Sequence, residues 1–153
     1  MKRYFIFKIR KEFVSLYKDN KRVLYNILRQ IYYLDKSEVR YGYNLFSQLI
    51  LPIDKSKIDR DLFIKLHQDI PYIKRKDTHI INNLYKDEVS RLTIKSSYMK
   101  LEIEQNFSSF FEIINKYNDD LFVCEFYYHD FFFLNEMFCD NKIICWLIVY
   151  LKV

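Results

Sequence analysis

Residues 91–104 read RLTIKSSYMKLEIE. In RLTIK (91–95) and MKLEIE (99–104) apolar and polar side chains alternate with period two, and Ser96-Ser97 between them supplies a turn. This is a hairpin with one face built for burial. Glu102 and Glu104 project from the same face of the second strand, the solvent face in a two-layer domain. Downstream, Ser108 or Ser109 can cap a helix through Phe110, Phe111, Ile113, Ile114 and Tyr117 that closes at Asn118-Asp119-Asp120. Residues 121–127 and 131–134 then form a second hairpin across Tyr128-His129-Asp130.

Upstream the periodicity changes. Residues 3–9 run like a strand, and residues 11–17 switch to helical spacing with Phe13, Leu16 and Tyr17 on one face. Residues 23–34 give the cleanest helix, with Leu24, Ile27, Leu28, Ile31 and Leu34 in one stripe and Arg22, Asn26, Arg29 and Gln30 largely opposite. A further helix starts at Ser37-Glu38, tolerates Gly42 and stops at Pro52. Another spans 56–68, capped by Asp54 or Ser56, with Ile58, Leu62, Phe63 and Leu66 on one side. Residues 71–88 mix polar loop chemistry with short apolar pairs and read as loop with a short helix. A lone strand, helices, then hairpin, helix, hairpin specify a single α+β domain with a largely antiparallel sheet packed with helices. No repeat or Gly/Ser linker marks a boundary.

The chain has 153 residues, enough to bury roughly two thirds of the surface its unfolded form exposes, without a metal or disulfide staple. It contains 14 Phe, 14 Tyr, one Gly and no Ala, the bias of AT-rich codons, so aromatic abundance alone says little about function. The net charge of +5 permits contact with nucleic acid or an acidic protein surface, although the same bias explains the lysines. The run Lys74-Arg75-Lys76 reads as a solvated loop. Three cysteines without a paired framework suit a reducing cytoplasm. No signal peptide is visible, because Lys8 and Arg10 break the first apolar run. IICWLIVYL, residues 143–151, is about half the length of a membrane span and reads as a buried terminal strand.

Catalytic constellations are not in evidence. None of His67, His79 and His129 lies in a recognisable motif, and one glycine rules out a glycine-rich phosphate cradle. Cys124, His129, Cys139 and Cys145 carry zinc-ligand chemistry at a spacing that matches no common zinc module. Neither metal nor cofactor is expected, and no enzyme activity. Phe126, Tyr128, Phe131 and Phe133 line strands and leave open a small basic nucleic-acid-binding module that stacks bases on its sheet.

Short motifs occur in one order: Glu12-Phe13 with Tyr17 in the first helix, Gln48-Leu49 before Pro52-Ile53, and Phe133-Leu134-Asn135 at the end of the last hairpin. In these the chain resembles the SirA family, the sporulation inhibitors of replication of spore-forming Firmicutes. The resemblance covers residues 1–136. Glu136 stands where the family tends to have proline, and residues 137–153 form a divergent apolar tail expected to pack on the same domain. The resemblance implies a non-enzymatic cytoplasmic protein that binds the N-terminal domain of the initiator DnaA, without direct nucleic-acid contact or a membrane span. Partner-binding residues would be Phe13, Tyr17, Gln48 and Leu49, with Ile9 and Leu16 left to the core. The residues alone allow the opposite arrangement, in which Phe13 and Tyr17 pack inward on the helix at 23–34.

Overall fold

The first strand, β1 (Lys2–Ile9), is apolar on both faces because it is central in two directions. Tyr4 and Ile6 point to one side of the sheet, Phe5, Phe7 and Ile9 to the other, and each set meets its own core. The computed structural model, which describes residues 1–105, 107–117 and 120–138, is a single α+β domain with helices on both faces of one antiparallel sheet. After β1 come α1 (Lys11–Tyr17), α2 (Lys21–Tyr32), a 3-10 turn (Lys36–Glu38), α3 (Val39–Leu49), β2 (Ile50–Leu51) and α4 (Lys55–Leu66). Then follow β3 (Tyr72–Arg75), β4 (Thr78–Asn83), β5 (Glu88–Ile94), β6 (Met99–Ile103), α5 (Phe110–Asn115), β7 (Leu121–Glu125), β8 (Asp130–Phe133) and a closing 3-10 turn (Leu134–Phe138).

The strand order is β3-β4-β5-β6-β1-β7-β8, with β2 pairing the last residues of β1. The hairpin at 91–104 takes the expected register, Leu92 opposite Leu101 and Ile94 opposite Met99. Its apolar face joins α4 and α5 in one core, where Leu62, Leu92, Leu101, Phe110 and Ile114 are fully buried. The opposite core lies under α2 and α3, with Leu24, Tyr25, Leu28 and Leu49 over Phe7, Phe122 and Phe133. Arg22, Asn26, Arg29 and Gln30 face solvent, as the stripe on α2 requires. Gly42 of α3 stands against the tip of the Leu34 side chain, just past α2. A Cβ there would come within 2.4 Å of Leu34 Cδ1, so any other residue forces Leu34 aside.

Two expectations about the elements need correction. Residues 71–88 are the edge hairpin β3–β4 and the entry to β5, not loop and helix. Only Tyr72 of β3 is buried, and Lys74 and Arg75 blunt the exposed edge, so apolar alternation is nearly absent there. The helix before Pro52 stops at Leu49, because Ile50 turns extended and pairs with Ile9. Of the two serines expected to cap α5, Ser108 accepts from the backbone N–H of Phe110 at 3.2 Å, and Ser109 does not cap the helix by its side chain. It hydrogen-bonds instead, through both its backbone N–H and its hydroxyl, to the buried carboxylate of Glu88. Asp54 does cap α4, accepting from the backbone N–H of Lys57. Residues Asn118 and Asp119, the strand expected at 143–151, and Cys139 and Cys145 lie outside the described residues. Of the tail, Met137 and Phe138 pack against the α4–α5 core.

His79 is fully buried on β4 and fastens this hairpin to α4. Its Nε2 lies 2.7 Å from Asp59 Oδ1 and its Nδ1 2.7 Å from the Tyr72 hydroxyl, an arrangement satisfied by a neutral ring that donates to Asp59 and accepts from Tyr72. Burial holds the imidazole below its ordinary pKa, against the pull of Asp59, and pushes the Tyr72 phenol up to about 12. Because the folded state resists a proton that the unfolded chain accepts, His79 makes stability fall as pH drops below about 6.5. His79→Gln should therefore be the less stable protein at neutral pH yet lose less on acidification. Urea midpoints on either side of that pH test this, and an equal loss in both proteins would dismiss it.

Candidate protein-docking surface

Helix α1 is held at its start by hydrogen bonds as well as by the packing of its inner face. Ile9 donates its backbone N–H to the Asp120 carbonyl and Arg10 donates to the Leu49 carbonyl, at 3.0 and 3.1 Å. The Arg10 guanidinium adds a bond to the Ser47 carbonyl at 3.1 Å, tying the first turn of α1 to the last turn of α3. Glu12 sits in the first turn, where a carboxylate complements the helix dipole. None of the seven residues of α1 is buried.

Phe13, Val14 and Tyr17 are half-buried against the α2–α3 core, and the Phe13 and Tyr17 rings stack with centroids 6.3 Å apart at 16°. Both rings thus divide their surface between core and solvent. Leu16 was expected to face the core and does not: with Phe13, Val14 and Tyr17 turned inward it occupies the outer face, 62% exposed. Gln48 is exposed on the last turn of α3, one residue from the Ser47 carbonyl that Arg10 grips. Leu49 departs from expectation. It shares the inward face of α3 with Phe46 and is 5% exposed, so in this fold it is a core residue.

At the other end of the helix pair, α2 and α3 leave between them a cleft of about 420 Å³. Phe5, Phe7, Leu28, Ile31, Leu34 and Phe46 make its apolar lining, and Tyr32, Val39 and Tyr43 stand exposed along it. Tyr33 and Tyr41 are exposed nearby, with the Arg29 guanidinium 5.5 Å from the centre of the Tyr33 ring. Between residues 10 and 49 there are eight basic and four acidic residues, so this layer carries +4 of the chain's net +5. The sequence lists these tyrosines but hides their role, since codon bias accounts for them equally well. The helical spacing of Val39, Gly42, Tyr43 and Phe46 was the signal available.

The remaining chemical candidates have structural roles here. His129 occupies the β7–β8 turn at φ 60° and its Nδ1 is 3.0 Å from the Tyr25 hydroxyl. The Glu125 carboxylate closes that turn by accepting from the backbone N–H groups of Tyr127 and Tyr128. Cys124 is fully buried, and burial raises its thiol well above the ordinary pKa, away from nucleophilic use. Among the described residues no three His, Cys, Asp or Glu side chains gather as a metal site, and no helix is long and apolar enough to cross a membrane. Phe126 and Phe133, offered by the sequence as a stacking platform, lie in the core, and Phe131 is half-buried against Tyr25.

A family model described as Sporulation inhibitor of replication protein SirA matches residues 2–138. No curated protein matches the chain.

Proposed function

The chain belongs to the SirA family, the sporulation inhibitors of replication, and from that premise we propose that it acts by binding the N-terminal domain of the initiator DnaA through α1. Occupying that domain in the cytoplasm would block new rounds of initiation as a cell commits to sporulation. One observation supports this reading above the others: α1 keeps part of each ring of its stacked Phe13–Tyr17 pair at the surface, flanked by exposed Leu16 and by Gln48 on the adjoining end of α3. Aromatic side chains one turn apart offer large area with few rotamers to freeze, the usual make-up of an interface hot spot. Their inner edges rest on the core, so they are already oriented before a partner arrives, which lowers the entropy lost on binding.

The alternative, a nucleic-acid-binding module, is weakened by the burial of Phe126 and Phe133. Salt separates the two. Phosphate contacts make affinity fall by orders of magnitude between about 50 and 200 mM salt, whereas an aromatic-centred protein interface weakens only mildly. Titration with the isolated DnaA N-terminal domain, and separately with single- and double-stranded DNA, should give binding to the protein with a shallow salt slope. Steeply salt-dependent DNA binding with no affinity for the DnaA domain would overturn the proposal.

A further inference from the structure

Helix α1 starts on a residue that does little for it as a helix. Arg10 is its N-cap, in extended backbone at φ −62° and ψ 141° and without a side-chain capping bond. That position favours Ser, Thr, Asp or Asn, and a cation there opposes the helix dipole. The same cation suits the other helix end that it meets. An α-helix leaves its last four carbonyls without partners inside the helix, at its negative end, and α3 has no basic residue in its last turn. The Phe46 carbonyl accepts from the N–H of Ile50. Arg10 takes two more, Leu49 through its backbone N–H and Ser47 through its guanidinium, both at 3.1 Å. The sheet brings it there, since β1 and β2 pair Ile9 with Ile50 and so set Arg10 beside Leu49.

From Arg10 the link continues into α1. Its own carbonyl accepts from the N–H groups of Phe13 and Val14, both at 3.0 Å. One residue thus joins the backbone on either side of Gln48 to the backbone of Phe13. We propose that Arg10 is a positioning residue of the docking surface, holding α1 against the end of α3 so that the Phe13 ring and Gln48 meet a partner in one register; this rests on the reading of α1 and Gln48 as that surface. A seven-residue helix is too short to hold its direction by propensity. The backbone bond to Leu49 continues the β1–β2 pairing, and the guanidinium bond to Ser47 is the second point that stops α1 from turning about it. A surface fixed in this way before contact loses less entropy on binding.

The test is titration of the isolated DnaA N-terminal domain with the wild-type chain, Phe13→Ala, Arg10→Ser, Gln48→Ala and the double variant Arg10→Ser with Gln48→Ala, each also melted. Serine is a preferred N-cap and the Arg10–Ser47 bond is at the surface, so Arg10→Ser keeps α1 and the fold while cutting the link to α3. Arg10→Ser and Gln48→Ala should each weaken binding about tenfold. The double variant should stay within about threefold of either, because both changes remove the same contact, whereas independent contributions would multiply to about a hundredfold. Losses that multiply, wild-type affinity in Arg10→Ser, or a melting midpoint for Arg10→Ser more than about 5 °C below wild type would each overturn the role given to Arg10. With Phe13→Ala still weak, the α1 anchor would stand. Wild-type affinity in Phe13→Ala, or no binding by the wild-type chain, would remove the reading of α1 and this inference with it.

Discussion

Phe13→Ala is expected to weaken capture of the DnaA N-terminal domain about thirtyfold or more, and Tyr17→Ala to do nearly the same, the ordinary consequence of truncating an aromatic anchor by about 2 kcal/mol. Because each ring also rests on the α2–α3 core, the variants should lose stability as well, by about 1 to 2 kcal/mol rather than the 3 to 5 of an emptied core site. Leu16 separates the two effects. It is on the same helix but faces outward, so Leu16→Ala should change folding stability by less than about 0.5 kcal/mol while still weakening the complex. Calorimetric titration beside thermal melts reads both quantities. Variants of Phe13 and Tyr17 that remain folded and bind as wild type would end the case for α1.

The largest stability effect should come from Phe122→Ala. Phe122 is fully buried on β7, opposite Phe7 on one neighbouring strand and Phe133 on the other, and its ring meets that of Phe133 edge to face at 4.9 Å. Removing it opens a cavity in the middle of a three-ring row, and such losses run to about 3 to 5 kcal/mol. Domains of this kind have about 5 to 15 kcal/mol in total, so the variant should unfold at a much lower urea concentration with an unchanged slope. A loss under about 1 kcal/mol would mean that the strands close around the gap, contrary to the packing described.

What could be read from the sequence followed the strength of the burial pattern. The hairpin at 91–104 and the stripe of α2 each set a strongly apolar face against a polar one, and both elements appear where that pattern puts them. The β3–β4 hairpin escaped because an edge strand needs one apolar contact, here Tyr72, and keeps charge elsewhere. Burial of His79 was equally invisible, since its partners Asp59 and Tyr72 come from a different helix and strand. At the docking surface, the motif residues Phe13 and Tyr17 could be named, but a two-turn helix does not reveal which face it turns inward. Leu16 and Leu49 consequently exchanged places between core and surface. Of the cleft, the helical spacing of Val39, Gly42, Tyr43 and Phe46 could be read, but not the residues of α2 and β1 that complete its lining.

β1 pairs with β6 through Lys2–Ile6 and with β7 through Phe5–Lys8, so it lies between two strands that follow it far along the chain. Contacts that join such distant stretches slow folding, because the intervening chain must be closed before they contribute. Until β7 is made, β1 can pair with β2 and β6 but has one edge open and the core under α2 and α3 lacks Phe122 and Phe133, a state exposed to aggregation. The helices of the docking layer rest on the side of the sheet that β7 and β8 complete. A chain cut short before β7 would therefore lack a completed α1–α3 surface, and inhibition would begin only once β7 and β8 have joined the sheet.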